Sequence, residues 1–230
     1  LLITFDDGWR DNVAYAEPIL RRHGMKATLF VNIDAVRQSG LRWWQDALVE
    51  AAQAPLAGSG AAASGAPDVP APARPDFFTT LAVTLKRPLE DRLPAVLPAT
   101  DYVPGTRQML TVDEVGQLDE AVWEVGSHGV THSPLTHVCD PERELQDSYR
   151  LLSAWKREPV RAVSMPHGRY SEGIVRVARA VYSLVFTSDP FLTVTRSACL
   201  QSPIGRIHVP SSACADDGTL ARFLWIRRQR

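Results

Sequence analysis

The first 32 residues alternate between strand, helix and strand patterns, and this order restricts the fold more than any other feature of the sequence. Residues 1–5 have the apolar composition of a buried strand, 12–24 carry apolar side chains at helical intervals and end in glycine, and 26–32 are rich in β-branched and aromatic residues. A strand, a helix and a strand in such a short segment form a βαβ unit, whose strands are parallel and whose crossover is right-handed.

The same alternation continues in the second half of the chain. Thr111 and Asp140 stand where two helices begin, and side-chain oxygens at such positions accept hydrogen bonds from the free N–H groups of the first turn. The pattern predicts an α/β fold, either a barrel or a doubly wound sheet. The further predicted strands cover 122–126, 160–164, 182–188 and 205–209, and the further predicted helices cover about 41–52, 110–121, 140–158 and 171–181.

A break in composition separates the two halves. Between residues 51 and 75, 18 of 25 residues are Ala, Pro or Gly. Such a segment cannot bury enough side-chain surface to offset the entropy that it loses on ordering. We expect a mobile loop within a single domain over residues 1–230, because strand and helix patterns continue after it. A lid over an active site is the alternative for this loop.

Composition argues against several functions. A formal net charge of −1 disfavours a nucleic-acid partner, which would require a basic surplus. No apolar run approaches the roughly 18 residues of a membrane span. Cys139, Cys199 and Cys214 lack the spacing of a metal knuckle or a disulfide framework, although one disulfide stays open. The chain begins within a strand pattern and without Met, so we expect an excised or processed piece.

Polar side chains follow three of the predicted strands, at the point where each strand ends. Asp6 and Asp7 follow the first strand, His128 and His132 follow 122–126, and the segment 166–168 follows 160–164. The carboxyl ends of parallel strands form the floor of the active site in α/β folds. We therefore expect these groups to meet in one cleft, although more than a hundred residues separate some of them.

The histidine pair and the adjacent aspartates together indicate a metal site. His128 and His132 are spaced i, i+4, which would point both imidazoles the same way on a helical turn, and neutral imidazole is a common ligand of Zn²⁺. A helix-capping or core role is the alternative for this pair. A carboxylate from another strand end would complete a His₂Asp set with one position open for water and substrate. One aspartate would then bind the cation, and the other would act as a base.

Three short motifs resemble the signatures of the polysaccharide deacetylases, carbohydrate esterase family four. They are "TFDDG" at 4–8, "HGVTH" at 128–132 and "PHGRY" at 166–170. The resemblance extends from residue 1 to about residue 209 and includes "PILRRHGMKATLFV" at 18–31. It implies a distorted (β/α) barrel and the hydrolytic removal of acetyl groups from an N-acetylated or O-acetylated polysaccharide or oligosaccharide.

The resemblance also implies a role for each matching residue. Asp6 corresponds to the catalytic base, and Asp7, His128 and His132 correspond to the metal ligands. Zn²⁺ is the favoured ion, with Co²⁺ or Ni²⁺ as alternatives. His167 follows the proline of the third motif, where a backbone N–H of the family helps to hold the oxyanion.

The motifs depart from the family pattern at two positions. Gly129 stands where the family usually has Ser or Thr, a position that supports the metal without binding it. Ser164 stands where an arginine usually contacts the base aspartate. Arg206, in a later predicted strand, is a hypothetical substitute for this charge, and a surface salt bridge is the alternative role for it.

The general acid is harder to place, because the family's fifth motif, L-x-H, is not clearly present. His208 in "GRIHVP" is the candidate, and a strand over 205–209 would point it to the same face as Arg206. His137 is a second candidate. Trp44, next to Trp43, offers an aromatic face for a sugar ring, with a core role as the alternative.

Two other functions stay open. The same scaffold could hydrolyse a small non-sugar amide, because metal chemistry does not depend on what carries the acyl group. The altered third and fifth motifs also fit a glycan-binding protein that has lost catalysis. The tryptophan pair and the missing arginine resemble family members that act on cell-surface or exported polysaccharides.

Overall fold

Five strands among the described residues form one parallel sheet, in which each strand pairs with the next along the chain. The sheet curls into half of a distorted (β/α) barrel, which confirms the predicted fold class. The strands are β1 (Ile3–Phe5), β2 (Ala27–Val31), β3 (Trp123–Ser127), β4 (Ala162–Ser164) and β5 (Leu184–Phe186). The computed structural model describes residues 2–39, 43, 108–190 and 203–209.

Helices connect the strands, and several begin at the predicted caps. Thr111 and Glu114 form a capping box, in which each side chain bonds to the other residue's backbone N–H, and Asp140 accepts a hydrogen bond from the backbone N–H of Arg143. None of the described helices is both long and apolar enough to cross a bilayer. The helices are α1 (Glu17–Arg22), preceded by a π-helical turn over Asn12–Ala16, α2 (Ile33–Arg37), α3 (Val112–Gly116), α4 (Pro141–Lys156) and α5 (Glu172–Val181).

The structure differs from the predicted elements in one strand and in one additional helix. The strand expected over 205–209 is wrong, since only Ile204 pairs with the sheet, through a single bridge to Phe186, and the following residues are irregular. Helix α2 is an additional element, and its five residues are too few to show a helical pattern in the sequence. The predicted helix around 41–52, except residue 43, and the loop over 51–75 lie outside the described residues.

The core lies between the sheet and the helices that cover it. All five residues of β2 are buried, as expected for an inner strand of a parallel sheet. Phe30 of β2 belongs to a separate apolar cluster, in which its ring packs against that of Phe186 of β5 with centroids 5.1 Å apart. A Cβ atom at Gly126 in β3 would lie 2.5 Å from Cδ1 of Phe30, so glycine there leaves the space that the ring occupies.

A buried polar network links α4 to the sheet. The Tyr182 hydroxyl donates to the carbonyl of Leu145 at 3.0 Å and lies 2.8 Å from Oγ of Ser148. The Ser148 hydroxyl in turn accepts a hydrogen bond from Ser127 at the end of β3. Burial raises the pKa of Tyr182 to about 12, although the neighbouring serine hydroxyls oppose this effect.

The raised pKa predicts a loss of stability at high pH. The unfolded chain releases this proton near pH 10 and the folded chain only near pH 12, so the stabilising contribution is complete below pH 10 and falls as the pH approaches 12. The loss in the free energy of unfolding is about 2–3 kcal/mol. Urea unfolding between pH 9 and pH 12 should show this loss in the wild type and in Tyr15→Phe, an exposed control. The same loss in Tyr182→Phe would contradict the prediction.

Candidate metal and base site

The register of the sheet brings the predicted site residues to one edge. Ser127 of β3 pairs with Val31 of β2 and with Val163 of β4, so the residues that follow these strands lie at the same level. Asp7, His128 and His132 meet there, and one ligand atom from each lies within 4.8 Å of the others. All three residues are buried.

Asp7 directs one carboxylate oxygen at both imidazoles. Oδ1 lies 2.9 Å from Nε2 of His132 and 3.5 Å from Nε2 of His128. The other oxygen, Oδ2, accepts a hydrogen bond from the Trp9 indole at 3.2 Å, and the backbone carbonyl accepts one from the N–H of Asn32. Asp7 adopts a left-handed φ of 73°, a conformation that persists in non-glycine residues where surrounding contacts hold it.

The tautomer of His128 suits metal binding. Its Nδ1 lies 2.9 Å from the carbonyl oxygen of Ser164, which can only accept, so Nδ1 carries the proton. The Nε2 atom that faces Asp7 therefore presents a lone pair. Burial lowers the pKa of His128, which favours the neutral imidazole that metal ions bind.

The burial of the Asp7 carboxylate favours a compensating positive charge between these groups. Burial raises the pKa of Asp7, but the nearby His132 and His128 imidazoles and the hydrogen bond from Trp9 more than reverse this effect and hold the pKa of Asp7 well below its usual range. When both Nε2 atoms are unprotonated, Oδ1 of Asp7 has no hydrogen-bond donor among the described residues. One buried anionic oxygen and two neutral nitrogens then face each other, and this donor set fits a divalent metal ion with an open position.

The two histidines do not lie on a helical turn, so the expected local conformation is wrong although the imidazoles do converge. The chain leaves β3 in an irregular turn and enters a 3₁₀ turn only at Leu135–His137. Gly129 has a φ of 77° and His132 a φ of 56°. The left-handed conformation at position 129 favours glycine and gives a reason for the departure from Ser or Thr there.

Asp6 lies beside the metal cluster in a different environment. Its side chain is 34% exposed, and Oδ2 lies 4.0 Å from Nε2 of His128. Arg206 donates from Nη1 to Oδ1 at 2.6 Å and from Nη2 to Oδ2 at 2.8 Å, which is a bidentate ion pair. Asp6 is therefore open to the cleft and fixed in orientation.

The Arg206 guanidinium is itself held on several sides. Nη2 donates to Oγ of Ser164 at 2.8 Å, Nη1 to Oγ1 of Thr4 at 3.3 Å, and Nε to the carbonyl of Thr187 at 3.2 Å. The guanidinium carbon lies 5.4 Å from the centre of the Phe30 ring. This ion pair is the contact expected if Arg206 substitutes for the family arginine as the partner of Asp6.

The remaining candidates differ in how close they lie to the cluster. Nε2 of His167 donates to the carbonyl of His132 at 3.0 Å, and the two rings are 4.4 Å apart. His208 is exposed, and within the described residues no hydrogen bond or ion pair joins it to the cluster. His137 is also exposed. Trp44 lies outside the described residues, whereas Trp43 is buried with its ring 5.7 Å from that of His132.

Three residues that contact the cluster were missed from the sequence. Asn32 directly follows β2, and Trp9 follows the short turn after β1, which is a signal that the strand-end rule could have used. Glu144 contacts the turn between the histidines from α4. Its place in an amphipathic helix gives no such signal.

The comparisons with known proteins agree with this architecture. The polysaccharide deacetylase family model matches residues 1–57 and 94–182, which is more than half of the chain. The chain therefore belongs to the polysaccharide deacetylase family. The Bacillus subtilis protein YxkH, which bears the name of a polysaccharide deacetylase, is 58% identical over 31 residues, covering 14% of this chain and 11% of YxkH.

Solved structures show the same fold. The deacetylase PplD of Streptococcus pyogenes, in complex with acetate, aligns with a TM-score of 0.58 and 18% identity over 95% of this chain and 67% of PplD. A polysaccharide deacetylase from Bacillus cereus aligns with a TM-score of 0.54 and 18% identity over 90% of this chain and 46% of its own. The chain thus spans only part of the length of these relatives.

The geometry of the cluster predicts that Asp7, His128 and His132 bind a metal ion. His132→Ala removes a nitrogen ligand and should weaken Zn²⁺ and Co²⁺ binding by more than about 100-fold, beyond the loss typical of a supporting residue. Isothermal titration calorimetry of the metal-free protein measures this affinity. His23→Ala, an exposed histidine at the end of α1, is the matched control and should bind like the wild type. Equal affinity in His132→Ala and His23→Ala would refute the site.

Proposed function

We propose that this chain is a metal-dependent hydrolase that removes acetyl groups from an N-acetylated or O-acetylated polysaccharide or oligosaccharide. The observation that carries the proposal is the convergence of Asp7, His128 and His132 next to the Asp6–Arg206 pair. Membership of the polysaccharide deacetylase family supports the reaction class. The metal ligands would be Asp7, His128 and His132, with Zn²⁺ as the favoured ion.

The proposed chemistry divides between the ion and the side chains. When bound, a divalent ion supplies Lewis-acid chemistry, polarising the acyl carbonyl and making water a stronger acid. Asp6 accepts the proton of the attacking water, because its carboxylate is open to the cleft and is already oriented. The two donors of Arg206 leave lone pairs on both carboxylate oxygens for this transfer.

The leaving group and the oxyanion require further partners. The backbone N–H at His167 is the proposed oxyanion donor, which the family resemblance supports. An amine leaves poorly as an anion, so an acid must protonate its nitrogen, and His208 stays the proposed acid. The exposure of His208 means that substrate binding or a movement of the segment 203–209 would have to bring it to the amide.

Replacing Asp6 tests the proposed base. Asp6→Asn keeps the size of the side chain and removes its basicity, so acetate release should fall by about 10²–10⁴-fold while the metal affinity stays near that of the wild type. The measurement is acetate release from chitooligosaccharides and acetylated xylan, with calorimetry for the metal. Full activity in this variant would remove Asp6 from the mechanism.

The substrate panel also separates the proposed function from its alternatives. Release of acetate from small amides but from none of the glycans would favour the small-molecule hydrolase. Glycan binding without release of acetate, in protein loaded with metal, would favour a binding protein. The intact Asp6, Asp7, His128 and His132 favour catalysis, because sugar binding alone does not need a buried carboxylate against two imidazoles.

Arg206 is the proposed orienting partner of Asp6, in place of the family arginine at position 164. Ser164 is fully buried, and its hydroxyl lies against the guanidinium, so the small side chain leaves room for a charge that arrives from another segment. Arginine provides two parallel donors that lysine cannot reproduce. The contacts with Thr4, Thr187 and Phe30 further restrict the guanidinium.

Substituting Arg206 should misplace the base without disturbing the metal. Arg206→Lys is expected to lower kcat by about 10–100-fold with little change in metal affinity, because small errors in position are costly in catalysis. Arg176→Lys, an exposed arginine on α5, is the control. The double variant Arg206→Ala/Ser164→Arg returns the charge to the family position and should recover part of the activity lost in Arg206→Ala. No difference between Arg206→Lys and Arg176→Lys would sink the assignment.

A further inference from the structure

Glu144 is a buried carboxylate outside the proposed catalytic set, and we propose that it positions the turn that carries the two metal-binding imidazoles. The inference rests on the proposed function, because it takes His128 and His132 as metal ligands. Glu144 lies in the first turn of α4 and is only 8% exposed. The free N–H groups at a helix start favour a carboxylate at this place.

One oxygen of Glu144 accepts three hydrogen bonds from the turn. Oε1 accepts from the backbone N–H of Val130 at 2.9 Å, from the backbone N–H of Thr131 at 2.6 Å and from the hydroxyl of Thr131 at 3.0 Å. Both residues stand between His128 and His132 in the sequence. A single buried atom thus defines the path of the chain from one ligand to the other.

Helix α2 holds the opposite side of the same turn. The first two N–H groups of this helix, at Ile33 and Asp34, donate to the carbonyls of Gly129 and Val130 at 3.1 and 3.0 Å. The side-chain amide of Asn32 donates to the carbonyl of Gly129 at 3.4 Å. The carbonyls of Gly129 and Val130 therefore face α2, whereas the amides of Val130 and Thr131 face Glu144. The turn is fixed between the first residues of two helices.

This arrangement gives Glu144 a specific effect on metal affinity. The turn includes left-handed residues at Gly129 and His132, so it needs outside contacts to keep its conformation. Without the acceptor at Glu144, the amides of Val130 and Thr131 lose their partner, and the turn relaxes on that side. Nε2 of His132 then moves relative to Nε2 of His128, and the two ligands no longer meet at one point.

The experiment compares Glu144→Ala, Glu144→Gln and Glu142→Ala in the whole chain. Glutamine keeps an acceptor oxygen, and Glu142 is an exposed carboxylate in the same helical turn. The readouts are the dissociation constants for Zn²⁺ and Co²⁺ by chelator competition, with urea unfolding of the metal-free proteins. We expect Glu144→Ala to bind about 10–100-fold more weakly, Glu144→Gln to stay within about threefold of the wild type, and Glu142→Ala to be unchanged.

The outcomes separate this inference from the proposed function. If the wild type binds one ion and Glu144→Ala binds it equally well, Glu144 has no positioning role and the proposed function stands. If the wild type binds no ion, both fall. If Glu144→Ala does not fold, Thr131→Val decides, since it keeps the side-chain shape and removes the hydroxyl that donates to Glu144 and accepts from the backbone N–H of Ser133. Weaker metal binding in Thr131→Val supports the inference, and wild-type affinity overturns it.

Discussion

The architecture of the site depends on the burial of the Asp7 carboxylate against two imidazoles. An ionised carboxylate is costly away from water unless a positive charge and hydrogen bonds compensate for its lost hydration. Trp9 satisfies one oxygen, and the other faces Nε2 of His128 and of His132. Because Ser164 fixes the proton of His128 on the far nitrogen, a cation held between the three side chains would supply the compensating charge. The surroundings of Asp7 therefore differ from those of the adjacent Asp6.

Adjacent aspartates serve two purposes because their surroundings differ. Asp7 turns inward with a left-handed backbone and becomes a candidate metal ligand, whereas Asp6 stays partly exposed and pairs with Arg206. The Arg206 guanidinium pairs with the Asp6 carboxylate, and the two imidazoles lie against the Asp7 carboxylate. One short turn after β1 therefore presents the proposed base and a candidate ligand at the same edge of the sheet without placing two uncompensated charges together.

Ser164 stands where the resemblance implies an arginine, and the Arg206 guanidinium lies against Ser164 and pairs with Asp6. Glycine at position 126 leaves space for the Phe30 ring, and Phe30 lies beneath the guanidinium of Arg206. The Ser164 hydroxyl accepts a hydrogen bond from the same guanidinium. Ser164 and Arg206, which come from different segments of the chain, are therefore the pair that we propose in place of the family arginine.

Local periodicity in the sequence determined the parallel sheet, the helix starts at Thr111 and Asp140, and the grouping of Asp6, Asp7, His128 and His132 at strand ends, because these properties follow from burial patterns over a few residues. The tertiary structure alone decided the rest. It showed an irregular turn where the histidine spacing suggested a helix, and no strand over 205–209. It also brought Arg206 to Asp6 across 200 residues and Glu144 to the histidine turn. Such contacts depend on left-handed turns and on how strand ends and helix starts pack, and no short sequence pattern encodes them.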